Sequence, residues 1–372
     1  MSLALYRKYR PKLLSDLLGQ EMTVQILMNA ARQDRLAHAY LFDGPRGSGK
    51  TSAARIVAKI ANCEARAKDE KFREKGEPCN KCQPCAEIDA GRALDVLEID
   101  AASNRGIDEI RDLQAGIRLS PMAYRYKVYI IDEVHQLSKD AFNALLKTLE
   151  EPPAHAIFIL ATTEFEKVPP TIFSRTQRFQ FKKLEKGTIL GKLATIVKTE
   201  KLDAEPEALE LIAASADGSL RDAESMLDQI AASAAKITLE ATERTLGRFA
   251  VKRLNDFATL LVNKDLPGAL TYIKTLEASG DNLVQFTKDL IHYFRRTLSL
   301  KADPNIATLF ARELTTGEIE MLKVLSAAYE MNALITLMKS LIKSYSEMRY
   351  THLAAVPLEI AIIENLKPAK KE

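Results

Sequence analysis

Between Ala39 and Ile60 the chain passes from a short apolar run, AYLFD, through Gly44-Pro45-Arg46-Gly47-Ser48-Gly49-Lys50-Thr51-Ser52 into a stretch carrying Ala54, Ile56, Val57 and Ile60 at helical spacing. No other feature limits the possible folds as strongly. G-x-x-x-x-G-K-[ST] in the context of strand, loop and helix is the pattern of a phosphate-binding loop. Its glycines let the backbone curl so that successive N–H groups and a helix N-terminus face an anion. Lys50 adds a point charge for the β and γ phosphates, and Thr51 a hydroxyl for Mg²⁺. A chance glycine turn is the plain alternative, and the complete pattern in its required context argues against it.

A phosphate loop of this kind needs a parallel sheet behind it, and the sequence supplies one. Apolar, β-branched or aromatic runs occur at Ala39–Asp43, Val96–Asp100, Lys127–Asp132, Ala156–Ala161 and Gln177–Phe181. They are too far apart for hairpins, so each return needs a crossover, which predicts an α/β fold with a parallel sheet. Between two of them, Ala141, Phe142, Leu145, Leu146 and Leu149 form one helical stripe, capped by Ser138 and ended by Pro152-Pro153. Beyond Phe181 the strand-like runs are expected to stop. Short amphipathic helices, including Glu207–Ala216 and Leu220–Ala232 with Gly218 breaking between them, predict a small helical domain. Longer helical patterns over Leu283–Leu300 and Glu330–Met348 predict a bundle or packed collar. The expected domains are therefore 1–183, with a cysteine module at about 62–90, then 184–247 and 248–372.

Composition admits this reading. The 372 residues are 47% apolar and 28% charged, which excludes wholesale disorder and collagen-like or disulfide-dense chains. A net charge of +3 is too small to imply nucleic-acid binding by itself. The N-terminal MSLALYRKYRPK lacks the apolar core of a secretory signal, and Leu353–Ile363, broken by Pro357 and Glu359, is too short to span a bilayer. The expected compartment is the cytoplasm, with no membrane partner.

The run Val128–His135 ends a buried strand with two carboxylates. Asp132 can hold Mg²⁺ through water, and Glu133 can orient or deprotonate an attacking water. The bland alternative is a strand-end acidic pair that caps the next helix. Tyr6-Arg7-Lys8-Tyr9-Arg10-Pro11, Gly19-Gln20-Glu21, HAYLFDGPRGSGKTSAAR, IIDEVHQLSKDAFNALLKTLEEPP, LATTE and GSLRDAES together closely resemble the γ/τ ATPase family of the bacterial DNA polymerase III clamp loader. The resemblance is tight from Tyr6 to about Leu246 and a helical pattern beyond. It implies an AAA+ fold, that is, a P-loop NTPase domain, a small helical lid and an all-α C-terminal oligomerisation collar in a ring-like heteropentamer.

The same resemblance implies site residues. Thr163 matches the sensor of the γ-phosphate, Arg221 the lid arginine that reaches the nucleotide, and Arg10 with Pro11 the segment lining the adenine pocket. Ser174-Arg175-Thr176 matches a Ser-Arg-Cys motif whose arginine acts in trans on a neighbour's ATP. Here threonine stands where the family usually has cysteine. A surface arginine paired within its own subunit is the alternative for Arg175.

Cys63, Cys79, Cys82 and Cys85 have the spacing of a structural Cys₄ zinc site: three thiolates within seven residues and a fourth from the end of the preceding helix. A redox pair or unliganded thiols are the alternatives. The family's first gap is shorter, so the Lys- and Glu-rich Glu64–Pro78 stretch is an insertion expected to protrude. For DNA, Arg105 precedes a helix-like stretch in which Arg111 and Arg118 share a face. Solvated arginines paired with Asp108 or Asp112 are the ordinary reading, while the resemblance sets helices of this region against the DNA backbone.

Together these imply an ATPase motor that uses ATP, Mg²⁺ and a structural Zn²⁺ to load a sliding clamp onto primer–template DNA. Its partners would be δ- and δ′-type subunits and copies of itself. Two alternatives stay open: a nucleotide-binding replisome scaffold with little turnover, disfavoured because the family's non-hydrolysing members lack the phosphate loop, and a related AAA+ branch-migration helicase, which leaves the cysteines unexplained.

Overall fold

The structure, a computed structural model, describes residues 3–103, 115–117, 119–233, 235–246, 251–310, 314, 316–351 and 353–366. The chain divides into two compact units, Met1–Leu184 with Gly218–Asp222, and Glu185–Asp217 with Ala223–Glu372. Among the described residues no helix is long and apolar enough to cross a membrane.

The first unit is built on a five-stranded sheet: β1 (Ala39–Asp43), β2 (Val96–Asp100), β3 (Lys127–Asp132), β4 (Ala156–Thr162) and β5 (Gln177–Gln180). The strand order is β2-β3-β4-β1-β5 and every pairing is parallel. The five strands expected from the sequence are all present. β1 and β4 are buried along their whole length, as parallel strands covered on both faces must be.

Alternate residues feed two cores. Tyr40, Phe42, Val128, Ile130 and Ile159 pack with Ala53, Ile56, Val57 and Ile60 of the helix Lys50–Asn62. Leu41, Tyr129, Ile131, Phe158 and Leu160 pack with Phe142, Leu145 and Leu149 of the helix Lys139–Glu150. Ser138 caps the latter, its hydroxyl accepting from the Ala141 N–H at 3.2 Å.

Register fixes where chemistry can occur. Asp43 lies opposite Thr162, and Asp100 opposite Asp132. With β4 between β1 and β3, the loops leaving all three emerge side by side at the carboxyl edge, the usual ligand site of an open α/β sheet.

The second unit is mostly helical, with one departure from expectation. β6 (Asp203–Ala204) pairs in parallel with β7 (Lys236–Ile237), so strand structure does not end at Phe181. Two residues per strand are too few to leave a periodic signature. Helices Pro206–Ser215 and Leu220–Ser233 follow closely the predicted ranges. Among the described residues from Val251 onward, one apolar core gathers Phe257, Phe286, Leu290, Phe294, Leu334, Leu341 and Leu358. Thr287 and Thr297 are buried in it without penalty, because each hydroxyl donates to the carbonyl four residues back, at 2.9 and 3.1 Å.

Candidate functional site

The loop leaving β1 is shaped by glycine. Gly44, Gly47 and Gly49 have φ of 147°, 73° and 103°, values that only glycine adopts freely. A Cβ on Gly44 would sit 2.3 Å from the Phe181 carbonyl oxygen, and one on Gly47 1.9 Å from the Ser219 hydroxyl. Gly49 ends the loop and starts the helix Lys50–Asn62, whose unpaired first-turn N–H groups and dipole favour an anion. Lys50 is almost fully buried, its ammonium donating to the carbonyls of Gly44 at 2.7 Å and Pro45 at 2.9 Å. Burial draws its pKa below the ordinary lysine value against the opposing pull of Glu133, Asp132 and Asp43. Ser48 closes the loop on itself by donating to the Pro45 carbonyl at 2.8 Å.

The carboxylates meet this loop directly. Thr51 Oγ1 donates to Asp132 Oδ2 at 2.7 Å, so the two groups expected to hold Mg²⁺ are adjacent across 81 positions of sequence. One hydroxyl and one carboxylate suit a hard cation that keeps most of its own water. Glu133 has φ of 50°, a left-handed conformation that costs a non-glycine residue about 1–2 kcal/mol. That turn brings Glu133 Oε2 to Thr163, which donates through its hydroxyl at 2.8 Å and its N–H at 3.2 Å. The end of β4 and the end of β3 are thereby tied together.

Several contributors were not assigned from the sequence. His135 Nδ1 lies 2.9 Å from Thr162 Oγ1 and 3.4 Å from Glu133 Oε2, while its Nε2 lies 3.1 Å from Glu164 Oε1. Arg178 of β5 forms a two-point pair with Asp43, at 2.8 and 2.9 Å, and lies 3.5 Å over the Phe165 ring. Gln20 makes two bonds to the Lys182 backbone, donating at 2.9 Å and accepting at 3.0 Å. A carboxylate ending the apolar run AYLFD was the one visible signal for Asp43; its partner 135 residues on was not.

A cavity of about 680 Å³ opens beside the loop, where Arg46, Arg55 and Arg221 face Glu98, Asp132 and Glu133. The Arg221 guanidinium lies 5.2 Å from the Tyr6 ring centroid, a cation–π distance. Arg10 is pulled below its ordinary pKa by burial and then by the like charge of Arg55, which itself pairs with Glu98 at 2.6 Å. Arg10, Arg55 and Arg221 thus make one cationic cluster.

Arg175 follows the helix Pro170–Phe173 and pairs within its own chain, 2.6 Å from Glu150 Oε1, with a further bond to the Thr171 carbonyl at 2.8 Å. Thr176 donates to the Phe173 carbonyl at 3.3 Å, a bond that caps this short helix. Arg105, Arg111 and Arg118 lie outside the described residues.

The four cysteine sulfurs lie within 4.8 Å of one another. Bonds of about 2.3 Å would space sulfurs ~3.8 Å apart around zinc, so a small inward movement closes them on one ion. Backbone N–H groups already point at them: Cys79 N to Cys63 Sγ at 3.3 Å, Lys81 N and Cys82 N to Cys79 Sγ at 3.4 and 3.2 Å. Cys63 is held down to about 4, first by a hydrogen bond from Cys85, and Cys85 is raised by the same pairing. Four thiols with amide donors suit a soft tetrahedral cation and leave no open ligand position.

The Glu64–Pro78 insertion is exposed over Ala67–Lys71 and at Glu74 and Lys75, but it is anchored at Arg66 and at Gly76–Pro78, which are buried. Arg66 is buried and donates to the Ala31 carbonyl at 2.6 Å, and the Glu77 carboxylate accepts from the Leu14 and Ser15 N–H groups at 2.8 and 2.9 Å. Most of its charged residues face solvent, while Arg66 and Glu77 are buried because each finds backbone partners.

Fold and site define a phosphate-loop nucleoside-triphosphatase domain of the AAA+ type, with a helical unit after it. Family profiles carry this further. Residues 19–185 match the profile described as DNA polymerase III, delta subunit; 188–236 match the clamp loader subunit ATPase lid domain; and 237–371 match domain III of DNA polymerase III subunits gamma and tau. The chain is 44% identical over 363 residues to DNA polymerase III subunit tau of Bacillus subtilis, covering 97% of this chain and 62% of that one. It is 37% identical over 303 residues to DNA polymerase III subunit gamma of Buchnera aphidicola, covering 81% of this chain and 80% of that one. A RuvB branch-migration motor of Thermotoga maritima is 20% identical, with a TM-score of 0.46 over 64% of this chain and 72% of that one. The chain belongs to the DNA polymerase III gamma/tau subunit family. It spans about half the length of several curated relatives, 46% of the Escherichia coli tau subunit among them.

Proposed function

We propose that this chain is an ATP-hydrolysing motor subunit of a bacterial replicative clamp loader, working in the cytoplasm with δ- and δ′-type subunits and copies of itself to load a sliding clamp onto primer–template DNA. The observation that carries the reading is the closure of Thr51, Asp132, Glu133 and Thr163 around the phosphate loop. Gly44–Ser52 would cradle the triphosphate with Lys50 on its terminal groups. Thr51 and Asp132 would hold Mg²⁺, which when bound neutralises charge on the phosphate oxygens. Glu133, held by Thr163, would orient the attacking water and accept its proton. Arg10, Pro11 and Arg221 would enclose the nucleotide, and Arg175 would exchange Glu150 for a neighbour's γ-phosphate.

In this reading 1–183 binds nucleotide, 184–247 is the lid, 248–372 is the collar and the cysteine module holds structural zinc. Arg105, Arg111 and Arg118 would contact phosphates of DNA, which a reduced salt dependence of DNA affinity in their alanine variants would reveal. The central test separates binding from turnover. Lys50→Ala should lose nucleotide binding, whereas Glu133→Gln should bind and lower hydrolysis by ~10²–10⁴-fold. Wild-type turnover in Glu133→Gln would overturn the assignment.

A further inference from the structure

The helix Lys50–Asn62 has the phosphate loop at one end and Cys63 immediately after the other. Between these ends the cysteine module grips a separate piece of chain, Lys12–Leu17. Glu77, the second-last residue of the insertion, accepts from two successive N–H groups, Leu14 and Ser15. Asn80, inside the Cys79–Cys82 turn, donates to the Lys12 carbonyl at 3.2 Å. Lys59 is completely buried, and its ammonium finds three acceptors: the Lys12 carbonyl at 3.0 Å, Asn80 Oδ1 at 2.7 Å and Asp89 Oδ1 at 2.8 Å. Asp89 ends the helix Gln83–Asp89 that carries Cys85.

The gripped segment reaches the phosphate loop. Leu14 and Leu17 are buried with Ala53 and Ala54 of the loop's own helix. Leu17 Cδ2 stands 3.3 Å from where a Cβ on Gly49 would be, so it backs the last glycine of the loop. Immediately before the segment come Arg10 and Pro11, with Arg10 in the cationic cluster beside the cavity. A buried lysine with all three protons directed at the module and the segment is costly unless the arrangement is held, and the four sulfurs are what would hold it.

We propose that the cysteine module is a brace for the nucleotide site: Glu77, Asn80 and Lys59 are positioning residues that fix Lys12–Leu17 against the phosphate loop, so that metal in the Cys₄ cluster strengthens nucleotide binding. The proposal rests on the nucleotide reading above and extends it to residues that touch neither nucleotide nor metal. It separates the module's effect from simple folding, because a loosened brace weakens affinity while leaving chemistry at saturation intact.

The test uses the full chain carrying Glu77→Ala with Asn80→Gly; glycine keeps the left-handed backbone of position 80, where φ is 56°. Zinc per chain, hydrogen exchange at Leu14 and Ser15, and the Kd of a fluorescent ATP analogue are measured together. The expected result is retained zinc, faster exchange at both amides and a Kd weakened on the order of tenfold, about 1.4 kcal/mol. In the assembled ATPase, KM should rise with kcat within about twofold. Stripping zinc from the parent with a chelator should weaken the Kd at least as much, and zinc add-back should restore it.

An unchanged Kd in the zinc-retaining double variant overturns the brace. Should that variant lose zinc, the milder Glu77→Gln decides; loss of zinc there too means that these contacts only fold the module, which also overturns it. Lys50→Ala separates the two readings. Analogue binding unaffected by Lys50→Ala removes the nucleotide reading and the brace with it. Binding lost in Lys50→Ala but unchanged in the double variant removes the brace alone.

Discussion

Replacing Gly47 with alanine tests whether the loop's shape is set by a residue far away in sequence. At φ of 73°, a side chain costs ~1–2 kcal/mol in left-handed strain. The new Cβ would also fall 1.9 Å from Ser219 Oγ, 2.8 Å from Ser219 Cβ and 3.3 Å from Ser219 Cα. Ser219 is buried and its hydroxyl accepts from the Asp222 N–H at 3.2 Å, so it cannot swing away freely. Overpacking of this kind costs ~1–3 kcal/mol. The sum, about 2–5 kcal/mol, predicts a nucleotide Kd weaker by roughly 30-fold to a few thousand-fold. Adding Ser219→Gly removes the hydroxyl and the Cβ, at a capping cost of a few tenths of a kcal/mol. The double variant should recover the overpacking part and stay ~5–30-fold weaker than the parent, as titration calorimetry would show. Strictly additive losses in the double variant would refute the reasoning, because two residues in collision must couple.

Two further outcomes are expected. Arg175→Ala should leave the Kd for ATP within about twofold and lower ATPase of the assembled complex by ~10³-fold or more; its exposed pair with Glu150 is worth under ~1 kcal/mol, so the melting temperature should barely move. Assembled activity near the parent's would end its assignment as a residue acting in trans. Tyr129→Phe should stabilise the chain by ~1 kcal/mol in urea unfolding, since the Tyr129 hydroxyl is buried with no partner among the described residues. Burial, then the nearby charge of Asp95, pushes that phenol up to about 12 from an ordinary 10.0. A raised folded pKa means stability present in full below pH 10 and lost as pH rises through 12, so the phenylalanine variant should resist alkaline unfolding better. An unaltered alkaline limb would refute that account.

What could be read in advance followed from contiguity. The phosphate loop, the Asp132-Glu133 pair and the cysteine triplet lie within a few residues each, so spacing alone carried their chemistry. Ser138 announced the helix Lys139–Glu150 for the same reason. By contrast, Asp43 with Arg178, Gln20 with Lys182 and Glu77 with Leu14 join positions 63 to 162 apart. Nothing in local pattern distinguishes Arg178 from a solvated arginine until β5 is known to lie beside β1. In the insertion, charge marks the solvent-facing part at Lys68–Lys71, Glu74 and Lys75, but composition does not separate these from Arg66 and Glu77, which spend their charge on backbone groups of distant segments.

The sequence by itself determined that a phosphate loop would open a helix after a buried parallel strand, that two carboxylates would end another, and that four thiols could share a cation. Those are local facts of glycine freedom, periodicity and ligand spacing. Tertiary structure alone decided which strand ends became neighbours, and with them the Thr51–Asp132 contact, the Thr163–Glu133 contact, the Ser219 backstop of Gly47 and the grip of the cysteine module on Lys12–Leu17. The physical reason is that strand order and register are fixed by burying both faces of the whole sheet at once, a global condition to which each short segment contributes and which none contains.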